Sequence, residues 1–282
     1  MSAGNNSQPR IAGECGPGLN RRVKLSVQDV SKIFYLSKGI NIKAVEKVTF
    51  DVHENELCVL LGPSGCGKST VLRMVAGLEE PNSGKFFLDE KEIVGPGRDR
   101  GMVFQSYTSF DWLTVQKNVE YGMRLNNVPA AERRERAEHF LELVKLTKFK
   151  NAYPHQLSGG MKQRVAIART LANDPSILLM DEPFGALDAE TRWNMQELLL
   201  TILERSSTTV LLVTHDIDEA LFLADRIIFL SKHPGTVREN IITEFKNGCR
   251  ISDKEAVLDM PGYIKLEKHV MRLMREQTEE LE

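Results

Sequence analysis

The sequence predicts an α/β fold: a mainly parallel, helix-covered β-sheet with an antiparallel β region beside it and a helical insertion. Three observations carry that expectation. Apolar runs at about Met102–Gln105, Ile177–Met180, Thr209–Thr214 and Arg226–Leu230 alternate with helical stretches, the ordering of a parallel sheet. Residues 62–70, reading GPSGCGKST, directly follow the apolar run Leu57–Leu61, so a phosphate-binding loop stands where a strand turns into a helix. Val23–Val30 and much of Val45–Val52 alternate apolar and polar side chains, as half-buried strands do.

Residues 1–22 are polar and glycine-containing and are expected to form a mobile tail, without the apolar core of a secretion signal. Ordered structure starts near Val23. Lys85–Leu88 and Lys91–Val94 would continue the antiparallel region. The helix after the phosphate loop runs from about Lys68 to Gly77 and stops there, ahead of the turn Pro81-Asn82-Ser83-Gly84. From Thr114 to about Leu146 the pattern is helical and charged, and residues 130–136 read as a solvated helix face. After His215 the chain has room to finish the sheet and add an extension. Pro261-Gly262 precedes a packing helix from Tyr263 to about Arg275, with Ile264, Val270, Leu273 and Met274 on one face.

At 282 residues the chain can bury a substantial core. A formal charge of −2 gives no global attraction to nucleic acid or anionic lipid, and no nucleic-acid partner is expected. Cys15, Cys58, Cys66 and Cys249 are scattered without CxxC spacing and read as reduced thiols in a reducing compartment. The six histidines show no zinc-ligand spacing, and no apolar run approaches the length that crosses a bilayer.

The loop of Gly62, Pro63, Ser64, Gly65, Cys66, Gly67, Lys68, Ser69 and Thr70 has a physical logic. Its glycines let backbone N–H groups curl around phosphate oxygens without a clashing Cβ, and the helix start favours negative charge. Lys68 then reaches the β- and γ-phosphates and the Ser69 hydroxyl binds Mg²⁺, so a nucleoside triphosphate with Mg²⁺ is the expected ligand. Cys66 has no catalytic job, although its place would make nucleotide binding sensitive to thiol reagents.

A second half of the site lies downstream, where the apolar run Ser176–Met180 ends in Asp181-Glu182-Pro183. Two adjacent acids repel in a core, so they belong at the strand's carboxyl edge, one compensated by Mg²⁺ and the other in contact with water. Asp181 fits the metal side, and Glu182 fits a base that orients water. Between the two halves, Leu157-Ser158-Gly159-Gly160-Met161-Lys162-Gln163-Arg164 is a second glycine-containing helix start. Ser158 can cap that helix while Gly159 and Gly160 expose N–H groups, which makes the segment a second phosphate reader.

These residues resemble the ATP-binding subunits of ABC transporters over roughly residues 24–232. The resemblance implies a P-loop NTPase fold of the RecA-like kind, with an ATPase domain at 23–232, a helical subdomain at about 106–165 inserted in it, and a C-terminal extension at 233–282. It also implies a head-to-tail dimer, in which the 158–160 segment of one subunit faces the phosphate loop of another and encloses ATP. Phe34 matches the aromatic that stacks on adenine, with Tyr35 as the alternative. Gln105 matches the glutamine near Mg²⁺ and the attacking water, Asp188 in Ala186-Leu187-Asp188 a loop that crosses the dimer interface, and His215 the histidine at the γ-phosphate. Gly185 stands where many relatives have serine. Glu182, His215, Lys68 and Gln105 are thus the expected catalytic group.

Tyr107, Phe110, Trp112 and Leu113 would either serve a local core or, as the resemblance implies, border a groove that receives a short helix from a transmembrane permease subunit. Asp111 replaces a proline common there. The wider pattern, with Ser231-Lys232-His233-Pro234-Gly235, resembles importers of nitrate, sulfonates, taurine and similar small anions. That implies a peripheral subunit on the cytoplasmic face of the inner membrane, served indirectly by an external solute-binding protein. A soluble ABC-type ATPase that remodels a protein assembly is the alternative function.

Overall fold

A computed structural model describes residues 21–35, 41–106 and 108–279. The expected mobile tail, apart from Arg21 and Arg22, and Tyr107 lie outside the described residues. Two sheets form the frame. β1 (Val23–Tyr35), β2 (Asn41–His53), β4 (Ser83–Leu88) and β5 (Lys91–Glu92) make an antiparallel sheet in the order β2-β1-β4-β5. β3 (Leu57–Leu61), β6 (Arg100–Val103), β7 (Ile177–Asp181), β8 (Thr209–Thr214), β9 (Arg226–Leu230) and β10 (Val237–Ile242) make the second sheet, ordered β10-β9-β3-β8-β7-β6. Its pairings are parallel except β9 with β10.

β3, β7, β8 and β9 are buried along their whole length, which is why the sequence shows them as unbroken apolar runs rather than alternating ones. Successive side chains still point to opposite faces. Cys58, Leu60, Leu211 and Val213 pack toward α1 (Lys68–Val75) and the antiparallel sheet, while Val59, Leu61, Leu178 and Leu212 pack toward the remaining helices. Each such Leu or Val contributes about 1.5–3 kcal/mol by leaving water.

α1 ends at the expected Gly77, where Gly77 N–H donates to Met74 O and Leu78 N–H to Arg73 O. The helical region holds α2 (Val115–Leu125), α3 (Ala130–Leu143) and α4 (Gly159–Leu171), packed on one another. α5 (Ala189–Ser206) follows β7 and α6 (Ile217–Leu223) follows β8. Past residue 232, β10 is a strand that the sequence does not announce, because its six residues, VRENII, lack a regular apolar–polar alternation. α7 (Lys254–Leu258) and α8 (Tyr263–Glu279) close the chain, with α8 against α6. Among the described residues no helix is long and apolar enough to cross a membrane.

The thiol expectation holds for Cys58 and Cys66, which are free, but Cys249 is disulfide-bonded; Cys15 lies outside the described residues.

Candidate active site

The strand order decides the site. β3, β8, β7 and β6 are consecutive neighbours, and their ends are flush: Leu61 pairs with Thr214, Val213 with Asp181, and Met180 with Val103. The segments that leave these ends carry Lys68 and Ser69, then His215, then Glu182, then Gln105. Four stretches far apart in sequence therefore share one edge, the carboxyl edge where open parallel sheets bind ligands.

On that edge Ser69 Oγ donates to Asp181 Oδ1 at 2.7 Å. Lys68 is 4% exposed, and its Nζ donates to Gly62 O at 2.8 Å and Pro63 O at 2.9 Å, so the ammonium spans the mouth of its own loop. Gly67 has φ of 93°, and a Cβ there would collide with the Val45 side chain and lie 2.8 Å from Ala44 O. Only glycine fits both constraints. Gly235 closes the loop from behind: its N–H donates to Ala44 O at 3.0 Å, and a Cβ on it would strike Cys66 O. Sequence reading uses Gly235 only for resemblance; the contact comes from a loop after β9 and has no local signal.

Glu182 carries the densest constraint. Its φ is 42°, a left-handed conformation that costs about 1–2 kcal/mol for a residue with a Cβ. Its N–H donates to Val213 O at 3.0 Å and its carbonyl accepts from Gly185 N–H at 3.2 Å. Gln105 Nε2 donates to Glu182 Oε2 at 3.3 Å, and His215 Nδ1 lies 3.2 Å from the same oxygen. Among the described residues no hydrogen bond occupies Oε1, which leaves that oxygen to accept from water.

Other expected residues stand apart from this cluster. Phe34 sits near the end of β1, opposite Ile42 and under the Lys32 ammonium at 5.2 Å; Tyr35 is 69% exposed. Ser158 caps α4 by accepting from Met161 N–H at 3.4 Å, and no hydrogen bond among the described residues joins the 158–160 segment to loop 62–70. Asp188 caps α5 through Thr191 N–H at 2.9 Å, and that bond holds its carboxyl below the usual range. Cys66 is fully buried, and burial pushes its thiol up despite Lys68 nearby, so the expected sensitivity to thiol reagents meets a protonated, covered sulfur.

After Gln105 the chain forms a turn that the sequence reading does not foresee. Buried Asn118 accepts from Phe110 N–H at 2.8 Å and donates to Phe110 O, Leu113 O and Thr114 O at 3.0–3.1 Å. Arg169 donates to both Thr108 oxygens at 2.6 Å and lies over the Phe110 ring at 5.3 Å. Trp112 is 73% exposed. Beside the turn a cavity of about 320 Å³ is lined by Arg98, Arg100, Phe110, Tyr121 and Arg169 among others.

Residues 45–185 match the model of the ABC transporter family. The chain belongs to that family. It is 42% identical to a nitrate import ATP-binding protein of Synechocystis sp., over 92% of this chain and 98% of that protein. A taurine import ATP-binding protein of Roseobacter denitrificans is 39% identical, over 91% and 96%. An uncharacterized ABC transporter ATP-binding protein of Methanocaldococcus jannaschii is 46% identical, over 91% and 93%. Among solved structures, a dimeric ATP-binding cassette in a post-hydrolysis state with ADP and phosphate superimposes with a TM-score of 0.68 at 35% identity, covering 78% of this chain and 98% of that one. As an ABC ATP-binding protein this chain binds ATP and hydrolyses it, on the P-loop α/β fold described above.

Proposed function

We propose that the chain is the ATPase subunit of an ABC importer that takes up a small anion of the nitrate, sulfonate or taurine kind, acting at the cytoplasmic face of the inner membrane. The observation that carries the catalytic part is the row of Lys68, Ser69, His215, Asp181, Glu182 and Gln105 side chains on one sheet edge. The importer part rests on the nitrate and taurine import relatives, which match this chain over nearly its whole length.

Mg²⁺ fits the residues present: a hydroxyl and a carboxylate oxygen already meet at 2.7 Å between Ser69 and Asp181, and hard cations take oxygen ligands. When bound, the ion supplies positive charge against the phosphates. Lys68 and the loop N–H groups hold and neutralise the same charge. Gln105 and His215 fix one oxygen of Glu182, so the other is aimed and free to take a proton from water in line with the γ-phosphorus. Catalysis of this kind is positioning and electrostatics. Ser158, Gly159 and Gly160 of a second copy complete the pocket over the triphosphate in a head-to-tail dimer, with Asp188 at its interface and Phe34 against adenine.

The basic, aromatic cavity between Arg98 and Arg169, with the exposed Trp112 ring 5.4 Å from that of its lining residue Phe110, is the seat for a short permease helix. Glu182→Gln should leave ATP binding intact and cut hydrolysis by roughly 10²–10⁴-fold, the range for a positioned base. Turnover near that of the parent would remove Glu182 from the mechanism. Trp112→Ala should reduce transport or assembly with permease subunits while ATP affinity holds; transport and assembly both unchanged would dispose of that seat. Uptake of nitrate or taurine into vesicles carrying the assembled complex tests the cargo class.

A further inference from the structure

Arg192 lies in the first turn of α5, four residues after Asp188. Its guanidinium reaches away from the helix in two directions. Nη2 donates to Leu187 O at 3.1 Å, in the segment that leaves β7, and Nη1 donates to Asp216 Oδ2 at 3.3 Å, in the segment that leaves β8. Asp216 directly follows His215. Its other oxygen accepts from Glu219 N–H at 3.1 Å and caps α6, and its own N–H donates to Thr214 Oγ1 at 3.0 Å. One planar fork therefore spans the loop that begins at Glu182 and the turn that carries His215.

The pair is a third exposed, 33% for Arg192 and 32% for Asp216. Ion pairs with that access to water contribute little to folding stability. The fork's geometry is a different matter: two fixed donors at a set angle define the distance between two backbone segments, which a single lysine ammonium cannot do. Nothing else among the described side-chain hydrogen bonds joins residues 183–188 to residues 215–216.

We infer that Arg192 is a positioning residue for ATP hydrolysis, locking the Leu187–Asp188 loop to the His215–Asp216 turn so that His215 keeps its 3.2 Å approach to Glu182. The inference rests on the reading of Glu182 and His215 given above. Loss of the fork lets both segments shift by fractions of an ångström, enough to slow chemistry without changing how ATP is held by loop 62–70.

The test uses the full-length chain with Arg192→Met, Arg192→Lys, Asp216→Asn and the Arg192→Met/Asp216→Asn double variant, alongside Glu182→Gln. Asparagine retains the cap of α6 while removing the charge. For Arg192→Met, kcat for ATP should fall on the order of tenfold while KM stays within about twofold, because the ground-state contacts are untouched. Arg192→Lys should recover less than half of the loss. Asp216→Asn should resemble Arg192→Met, and the double variant should be no slower than the worse single one, since residues acting as one unit are non-additive. Thermal melting should stay within about 2 °C for all of them. Parental kcat in Arg192→Met with Glu182→Gln inactive overturns the inference alone, as does a KM increase at constant kcat or a strictly multiplicative double variant. Parental turnover in Glu182→Gln overturns the site reading beneath it. If the methionine variant does not fold, Arg192→Lys and Asp216→Asn carry the same comparison.

Discussion

Glu219→Gln should make the protein more stable, and by an amount that depends on pH. Glu219 lies in α6 with 3% exposure; its Oε2 accepts from Gln196 Nε2 at 3.1 Å, and its Oε1 is buried without a hydrogen-bond partner among the described residues. Burial, joined by repulsion from Asp216, pushes the carboxyl up from 4.5 to about 7, against the pull of Gln196, Thr214 and Arg192. Below pH 4.5 both the folded and unfolded chains hold this proton and the group costs nothing. As pH rises from 4.5 towards 7 the unfolded chain ionises while the folded one keeps its proton, so stability is lost across that window, and the loss is complete once the folded carboxyl ionises above 7. The full loss is about 3 kcal/mol. Glutamine copies the shape of the protonated acid and never ionises, so the variant's advantage should widen by roughly 2 kcal/mol between pH 5 and pH 8. Urea unfolding of the two proteins across that range measures the gap, and titrating groups remote from Glu219 cancel in the difference. A gap constant with pH would mean that Glu219 keeps an ordinary carboxylate pKa, through water or rearrangement, and the reasoning would fail.

Lys246→Met should show the opposite trend: burial holds the Lys246 ammonium down to about 7, so its contribution is whole above 10.5 and lost as pH falls through 7, and the parent should gain on the variant as pH rises from 7 to 10 in the same urea assay. Asn118→Ala removes four hydrogen bonds that shape the Phe110–Thr114 turn; it should cost about 2–4 kcal/mol by chemical unfolding and reduce transport more than ATP binding. Gly67→Ala should abolish ATP binding in a fluorescent-nucleotide titration, because the added methyl forces Val45 and Ala44 against the loop that cradles phosphate.

What could be read from the sequence follows a physical divide. The buried strands β3, β7, β8 and β9 are apolar because both faces are covered, so their runs stand out, and the phosphate loop and Asp181-Glu182 announce themselves because charge and glycine at the end of such runs need a reason. β1 and β2 were legible only over their alternating parts. Between Val27 and Ile33 the pairing shifts register repeatedly before it resumes to Tyr35 and Asn41, and bulges break the period of two that marks a strand. β10 is not legible because it is an edge strand with a central polar stretch, Arg238-Glu239-Asn240, which resembles a loop. Asn118, Arg169 and Arg192 carry no sequence signal: Arg169 meets the Thr108 carbonyl through tertiary packing, while Asn118 and Arg192 clamp carbonyls in the turn just before their own helices, and a polar residue on a helix looks the same whether it faces water or clamps a turn.

The arrangement of glycine-bearing helix starts bears on the proposed second chain. Loop 62–70 feeds α1 from the end of β3, within the row of strand ends that also supplies His215, Glu182 and Gln105. Ser158 starts α4, which packs on α2, α3, β6 and α5, and its hydroxyl is occupied in capping its own helix. The Gly159 and Gly160 N–H groups belong to the first turn, which has no intrahelical acceptor, and the helix dipole makes that end attractive to an anion. One triphosphate held by Lys68 and the loop in the same chain gives those donors nothing to bind without a large movement of the helical region. Two copies arranged head to tail would engage both helix starts with the same nucleotide, which supports the proposed dimer.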